Sequence, residues 1–135
     1  MTLAPWQAEI AELHDFFQGW LGGRLPPTDA AFARLADATD GEFMLITPAG
    51  EVIVRELLLS QLRAAHGSRH DWRMWIERAQ LRCRSGDLTV ATYEEWQQTV
   101  ATTTMRISTV VFRHRRDTPN GLTWLHVHET WLPKA

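Results

Sequence analysis

The sequence contains one cysteine, Cys83, and one tyrosine, Tyr93, among its 135 residues. A single cysteine excludes a disulfide within the chain and fits a reducing compartment. Fourteen basic and sixteen acidic side chains leave a formal net charge of −2, so the charge balance indicates neither a nucleic-acid partner nor another polyanion.

Several segments that carry known functions are also absent from the sequence. No apolar run approaches the ~20 residues that a membrane-spanning helix requires, so no membrane association is predicted. The first residues lack a basic stretch followed by an apolar core, and we therefore expect no secretory signal and a cytoplasmic location. The sequence has no glycine-rich phosphate loop, no Gly-x-Ser-x-Gly motif and no Cys-x-x-Cys pair, and no cofactor is predicted.

Seven tryptophans are the most unusual feature of the composition. Large aromatic side chains bury much surface in a core, and they also line ligand cavities. A chain of this length is expected to form one domain, residues 1–135, that buries about two-thirds of its unfolded surface. The tryptophans can therefore belong either to a core or to a cavity wall.

The first half of the chain has the apolar spacing of helices. One helix is predicted to begin at Pro5 and to end at Gly22, and a second short helix follows Thr28 or Asp29 as its N-cap. A short strand over residues 41–50 precedes a third helix over residues 51–67. The stripe of the first helix consists of Trp6, Ile10, Leu13, Phe17 and Trp20.

Beyond Asp71 the pattern becomes that of strands. Four strands are predicted over residues 72–84, 88–98, 103–115 and 122–132, and the short turns between them favour an antiparallel meander. Strands of this length are expected to twist and curl around the helices. The predicted fold class is therefore α+β, with three N-terminal helices packed on a strongly curved, cone-shaped antiparallel sheet.

The turns also predict which face of the sheet each strand residue occupies. We expect the more apolar face to lie inside, under the helices, with Cys83 on it as an inert buried thiol. This face carries glutamates beside tryptophans, and a hollow, partly wet pocket accepts such carboxylates more easily than a dry core does. The residues expected to line the pocket are Trp75, Glu77, Glu94, Trp96, Glu129 and Trp131, with His14 and Met44 near its entrance.

The opposite face is expected to lie outside and to carry an aromatic patch, which usually has a partner. The sequence predicts a homodimer through this face. His126 and His128 could share a metal, but zinc takes three or four protein ligands and no third one lies near in the predicted register, so no metal is predicted. The predicted dimer residues are Tyr93, Phe112, Trp124, His126 and His128.

The element order and two stretches, "RSGDLTVATYEEW" and "FRHRRDTPNGLTWLHVHETW", resemble the nuclear transport factor 2-like superfamily, also called cystatin-like. This superfamily includes the SnoaL-like proteins, ketosteroid isomerase and the association domain of calcium/calmodulin-dependent protein kinase II. The resemblance implies a ligand pocket inside the cone and a dimer through the outer sheet face. The association domain has arginines in its pocket, but the corresponding positions here are Glu94, Val111 and Trp131, so its anion preference is not implied.

Two main functions follow from these expectations. The first is a ligand-binding module, in which the glutamates favour a neutral or cationic group and the aromatic rings add cation–π attraction. The second is a cofactor-independent isomerase, cyclase or hydrolase that uses Glu129 or Glu94 as general acid or base, because burial raises a carboxyl pKa. Two alternatives stay open: a structural dimer with a filled interior, and glutamates that only pair with arginines such as Arg55, Arg63 or Arg113.

Overall fold

The computed structural model describes residues 2–133, which form an α+β fold of three helices and one six-stranded sheet. No helix in this range is long and apolar enough to cross a membrane. The sheet has the strand order β2–β1–β6–β5–β4–β3. The elements are α1 (Pro5–Leu21), α2 (Asp29–Ala36), β1 (Thr39–Ile46), β2 (Val52–Val54), α3 (Arg55–Ala64), β3 (Arg73–Ser85), β4 (Leu88–Gln98), β5 (Thr103–His114) and β6 (Leu122–Trp131).

The second half of the chain forms the predicted antiparallel meander of four strands. The first half differs from the prediction, because the segment expected to open the third helix forms the short strand β2 and the helix begins only at Arg55. The three β-branched residues Val52–Val54 explain this strand, since such side chains lose rotamer freedom in a helix. Strand β1 pairs in parallel with β6, so the sheet is mixed rather than wholly antiparallel.

Helix α1 packs on one side of the sheet, which we call the inner face. It begins at Pro5, where the missing N–H is not needed, and the chain leaves it through Gly23 in a left-handed conformation with a φ of 76°. The predicted apolar stripe lies against the core, and Trp20 is only 1% exposed. Rings of Phe16, Trp20 and Phe32 join α1 to α2, with centroids between 5.0 and 6.2 Å apart.

A fully buried carboxylate, Glu9, connects α1 to α2 and β6. Arg34 of α2 donates to both of its oxygens, at 2.9 and 3.2 Å. Trp124 Nε1 donates at 2.7 Å, and Asn120 adds a bond of 3.0 Å from the β5–β6 turn. These donors provide the pairing that a buried charge requires, so the cluster holds the helices to the last strand.

The inner and outer residues of β4 and β5 are the reverse of those predicted. Tyr93 and Glu95 of β4 and Ser108 of β5 are buried on the inner face, whereas Glu94 and Trp96 lie on the outer face. On β6 the prediction holds at its centre, where Val127 and Glu129 are buried and His128 is exposed. The predicted pairing of β4 with β5 is also confirmed.

A β-bulge between β5 and β6 explains the reversed faces. The register shifts between Val111 and Phe112, which leaves Leu125 without an opposite residue. One extra residue in a strand moves the residues beyond it to the other face of the sheet. The prediction therefore grouped the inner residues of β6, such as Glu129, with the outer residues of β4 and β5.

Strand β3 lies at an edge of the sheet, and its last six residues are exposed. Cys83 is one of them, so the prediction of a buried thiol is wrong. The pairing of β3 with β4 is interrupted by bulges after Glu77 and Leu81. Bulges and charged side chains are the usual protection of an edge strand against pairing with another chain.

Candidate functional site

A cavity of about 70 Å³ lies between the inner face of the sheet, α1 and α3. This volume is several times the ~10–15 Å³ that one water molecule requires. Its polar lining comes from His14, Thr39, Tyr93, Glu95 and Glu129. Its apolar walls include Leu13, Phe17, Phe43, Leu45, Leu58 and Val127.

Two of the predicted pocket residues, His14 and Glu129, line this cavity. Trp131 does not line it, because it lies at the end of β6, 50% exposed, with the Arg106 guanidinium 4.6 Å from its ring centroid. Met44 is 37% exposed on β1 and also lies outside the cavity lining. The remaining four residues predicted for the pocket, Trp75, Glu77, Glu94 and Trp96, lie together on the outer face.

These four outer residues form a cross-strand cluster of their own. The rings of Trp75 and Trp96 stack with centroids 5.7 Å apart. Trp75 Nε1 donates to Glu77 at 3.2 Å, and Trp96 Nε1 donates to Glu94 at 3.1 Å. Arg78 Nη1 bonds the same Glu94 carboxylate at 2.7 Å, so one of the two predicted catalytic glutamates is paired away from the cavity.

His14 and Glu95 form a buried pair at the polar end of the cavity. His14 Nδ1 lies 2.8 Å from the backbone oxygen of Ile10, which can only accept, so this nitrogen carries a hydrogen. His14 Nε2 lies 3.1 Å from Glu95 Oε1. A hydrogen bond there requires a proton between the two atoms, so the pair is either an imidazolium–carboxylate or its neutral equivalent.

Arg106 lies between the two buried glutamates of the site. Its Nη1 donates to Glu129 Oε1 at 3.2 Å, and its Nε lies 3.5 Å from Glu95 Oε2. Gln97 Nε2 donates to the same Glu95 oxygen at 2.5 Å. Among residues 2–133, no donor is found for the second oxygen of Glu129, which leaves that atom free to meet a ligand.

The surroundings shift the pKa values of the two glutamates in opposite directions. Burial alone would raise the pKa of Glu95, but the hydrogen bond and charge of His14 and the charge of Arg106 lower it below its ordinary value. Burial raises the pKa of Glu129, and the negative charge of Glu95 adds to that effect against the opposing Arg106. Glu129 is therefore the carboxyl of the pair that takes up a proton more readily.

Tyr93, Ser108 and Glu129 lie opposite one another on three neighbouring strands. Ser108 is fully buried, and its Oγ interacts with the neighbouring Tyr93 hydroxyl without forming a well-aligned hydrogen bond. Burial raises the pKa of Tyr93 well above its ordinary value, with further contributions from the charges of Glu95 and Glu129. Tyr93 and Glu129 of this row line the cavity, and Ser108 lies between them outside the lining.

The predicted dimer residues separate into two groups. Tyr93, Phe112 and Trp124 belong to the buried core on the inner face, so they are unavailable to a partner and this part of the prediction is wrong. His126 and His128 lie on the outer face, as predicted. In the part of the chain that the structure describes, no group of three or more His, Cys, Asp or Glu side chains could hold a metal ion.

Sequence reasoning missed Tyr93, Glu95, Arg106 and Ser108 as site residues. Their strands alternate regularly, but the alternation does not say which face lies inside. Counting aromatic residues does not decide it, because the predicted register puts Tyr93, Phe112 and Trp124 on one face and Trp75, Trp96 and Trp131 on the other.

Comparison with known proteins gives a family and two curated relatives. The family described as "Sucrose-6-phosphate phosphohydrolase C-terminal" matches residues 7–133. Sucrose-phosphatase 1 of Nicotiana tabacum is 25% identical over 130 residues, which are 94% of this chain and 31% of the relative. Sucrose-phosphatase 2 of the same plant is 22% identical over the same shares. The chain thus spans about a third of the length of the curated relatives that it matches.

Comparison with solved structures identifies the fold. A nuclear transport factor 2-like protein of unknown function from Pseudomonas aeruginosa is 27% identical with a TM-score of 0.86, over 96% of this chain and all of that one. The calcium/calmodulin-dependent protein kinase II hub of S. rosetta is 16% identical with a TM-score of 0.70, over 98% and 100% of the two chains. The predicted superfamily is confirmed by these neighbours, and the chain belongs to the sucrose-6-phosphate phosphohydrolase C-terminal family, with the nuclear transport factor 2-like fold.

Proposed function

We propose that the protein is a small-ligand-binding domain, in which the sheet curves around the helices as a cone and the cavity inside it is the binding site. Ligand sites are typically concave, with apolar walls and a few convergent polar groups. The observation that carries the proposal is the combination of apolar walls with a buried polar end, where Tyr93, Glu95 and Glu129 line the cavity and one Glu129 oxygen retains hydrogen-bonding capacity.

The charges beside the cavity favour a neutral or cationic ligand over an anion. Arg106 bonds Glu129 and lies beside Glu95, and His14 bonds Glu95. Glu95 and Glu129 line the cavity whereas Arg106 does not, so a phosphate or carboxylate in the cavity would meet two buried carboxylates before it met the guanidinium. We therefore infer that this cavity does not hold the phosphate group of a sugar phosphate, although the relatives are named sucrose-phosphatases.

Two matched variants of α3 test the binding site. Leu58 lines the cavity, whereas its neighbour Leu57 is 43% exposed and lies outside the lining. We expect Leu58→Trp to fill the cavity and to weaken the binding of small fragments, measured by NMR titration, by about tenfold or more. Leu57→Trp should bind the same fragments as the wild type. Equal binding by wild type and Leu58→Trp would show that the cavity is not the site.

A second candidate function is proton-transfer catalysis in the same cavity. It is favoured by Glu129, whose raised pKa and unpaired oxygen suit a general acid or base facing a bound molecule. The discriminating variant is Glu129→Gln, which keeps the shape of the side chain. If Glu129 is catalytic, turnover of a bound ligand by Glu129→Gln should be at least about a hundredfold slower than by the wild type, while ligand binding persists.

We also propose that the chain forms a homodimer through the outer face of the sheet. Val90, Val111, His126 and Met44 lie opposite one another on four neighbouring strands of this face, and similar structures include a hub domain. Val111→Lys should therefore shift the protein to a monomer in sedimentation experiments. Val100→Lys, in the exposed β4–β5 turn, is the control and should leave the mass unchanged. A wild-type chain that sediments as a monomer at high concentration would contradict the proposal.

A further inference from the structure

We propose that Gln97 is a positioning residue for the polar end of the cavity, where it keeps Glu95 as a carboxylate and the proton of the buried pair on His14. Among the residues that the structure describes, Glu129 is then the one group of the cavity wall that exchanges a proton with a bound molecule. The inference rests on the proposed function of the cavity and names how its charges are held.

The orientation of the Gln97 amide follows from its neighbours in the segment between α3 and β3. Its oxygen lies 3.2 Å from Trp72 Nε1 and 3.3 Å from Arg69 Nη1. Indole and guanidinium nitrogens only donate hydrogen bonds, so the atom that faces them is the amide oxygen. The amide nitrogen is therefore directed at Glu95, and it donates to Oε2 of that residue at 2.5 Å.

The same contacts determine which form of Glu95 fits the site. Its Oε2 faces the N–H of Gln97, so this oxygen accepts and does not carry a proton. Arg106 Nε lies 3.5 Å from Oε2, and it is a buried donor with no well-formed hydrogen bond in residues 2–133. A negative charge on Glu95 compensates this donor best. The proton of the pair therefore lies on the other side of the carboxylate, between Oε1 and His14 Nε2.

The surroundings of His14 favour its charged form. Nδ1 donates to the backbone oxygen of Ile10 at 2.8 Å, and Nε2 lies 3.1 Å from Glu95 Oε1. Since Arg106 contacts the other oxygen, the Glu95 carboxylate lies between the two cations and is the charge nearest to the imidazole. The titratable and charged side chains that surround His14 from the sheet are Tyr93 and Glu95 of β4, Arg106 of β5 and Glu129 of β6.

The pKa shift of Glu95 agrees with this location of the proton. Burial alone would raise the pKa of Glu95, but the hydrogen bonds from His14 and Gln97 and the charges of His14 and Arg106 lower it. A carboxyl whose pKa lies below its ordinary value is ionised at neutral pH, which leaves the proton of the pair on His14.

Glu129 differs from the other titratable groups of the cavity wall. Both ring nitrogens of His14 and both oxygens of Glu95 are engaged. Burial raises the pKa of Tyr93 well above its ordinary value, so this phenol keeps its proton. The pKa of Glu129 is also raised, first by burial, and its second oxygen has no donor among residues 2–133. A bound molecule can therefore take a proton from Glu129 or give one to it.

Nitrogen NMR of the full chain without any ligand tests where the proton lies. We expect both ring nitrogens of His14 to resonate as N–H nitrogens at neutral pH. A spectrum in which Nε2 of His14 carries a lone pair would put the proton on Glu95 and overturn the inference. This measurement uses the wild-type protein, so it does not depend on whether a variant folds.

Two matched glutamine variants test the role of Gln97. Methionine keeps the length of the side chain but donates no hydrogen bond. We expect Gln97→Met to raise the midpoint of the Glu95 titration, followed by carboxyl carbon NMR, by about one pH unit, which is a tenfold change in proton affinity. The neighbouring Gln98 bonds Thr103 at the surface, and Gln98→Met should leave that midpoint unchanged. Equal midpoints in Gln97→Met and the wild type would overturn the role of Gln97.

The same titration of the wild type tests the part assigned to Glu129. We expect Glu129 to take up its proton at a higher pH than Glu95 does. The reverse order would make Glu95 the group that exchanges its proton more readily, and would overturn this part of the inference.

These titrations need no ligand, so their outcome is separate from that of the proposed function. If fragments leave the cavity signals unchanged while both nitrogens of His14 carry protons, the binding function fails together with the exchange assigned to Glu129, and the role of Gln97 stands. If fragments bind in the cavity but Nε2 of His14 carries no proton, the inference about the pair fails alone.

Discussion

Replacing Arg34 with methionine is expected to lower the free energy of unfolding by about 3 kcal/mol at neutral pH. Arg34 bonds both oxygens of Glu9, which is fully buried between α1, α2 and β6. The variant keeps a long side chain but leaves the buried carboxylate with only Trp124 and Asn120 as donors. Removing one partner of a buried ion pair costs far more than the pair contributes, because the remaining charge stays desolvated.

Arg63→Met is the matched control for this prediction. Arg63 also pairs with an aspartate near the start of α2, but Asp29 is 92% exposed. Exposed ion pairs contribute little, so the control should change stability by less than about 1 kcal/mol. Urea denaturation of the three proteins, followed by circular dichroism, measures both effects. An Arg34→Met variant as stable as the Arg63→Met control would show that Glu9 is not held as the structure indicates.

Replacing Arg106 with methionine is expected to have the second large effect, and should lower the free energy of unfolding by about 3 to 5 kcal/mol at neutral pH. Arg106 is the cation that separates the buried carboxylates of Glu95 and Glu129. Without it, the charge of Glu95 acts on Glu129 with no opposing charge beyond that of His14, and we expect the pKa of Glu129 to rise further.

The loss of stability in Arg106→Met should depend on pH, and the protonation of Glu129 should set the direction of this dependence. A carboxyl whose pKa is higher in the folded than in the unfolded protein binds its proton more tightly when folded. Its destabilising effect is therefore present above the folded pKa and disappears as the pH falls through that value. The difference in free energy of unfolding between wild type and Arg106→Met, measured by urea denaturation, should thus be smaller at about pH 5 than at pH 7. A gap that widens toward acid would contradict the assignment of the buried charges.

In the wild-type protein, the pKa shift of Glu95 affects stability in the opposite direction to that of Glu129. Its pKa is lowered on folding by His14 and Arg106, which together outweigh burial. The stability that this carboxylate contributes is present above its unfolded pKa and is lost as the pH falls through the folded value. Acid unfolding of the wild type should accordingly begin below the pH at which Glu129 takes up its proton.

The sequence alone predicts most of the architecture, because periodicity is a local property. The stripe of α1 from Trp6 to Trp20 and the four strands of the meander follow from spacing and turn residues. Two features escape such reasoning. Strand β2 is only three residues long and runs directly into α3, and the parallel pairing of β1 with β6 joins segments about eighty residues apart. Neither leaves a periodic signal.

The site was only partly predictable because the assignment of faces depends on one residue. His14 and Glu129 were expected in the pocket and line the cavity, whereas Glu94 and Trp96 were assigned to the wrong face. The bulge at Leu125 changes which side of β6 continues the inner side of β5. Alternation within a strand is visible in a sequence, but a single inserted residue between two strands is a property of their pairing.

The most direct test of the account is to follow methyl NMR signals on both faces of the sheet during a fragment titration. Val127 and Leu13 represent the cavity, and Val90 and Val111 represent the outer face. The account predicts shifts at the cavity methyls and none at the outer ones. Shifts confined to Val90 and Val111, or no shift at any methyl, would contradict the claim that the inner face forms a ligand-binding site.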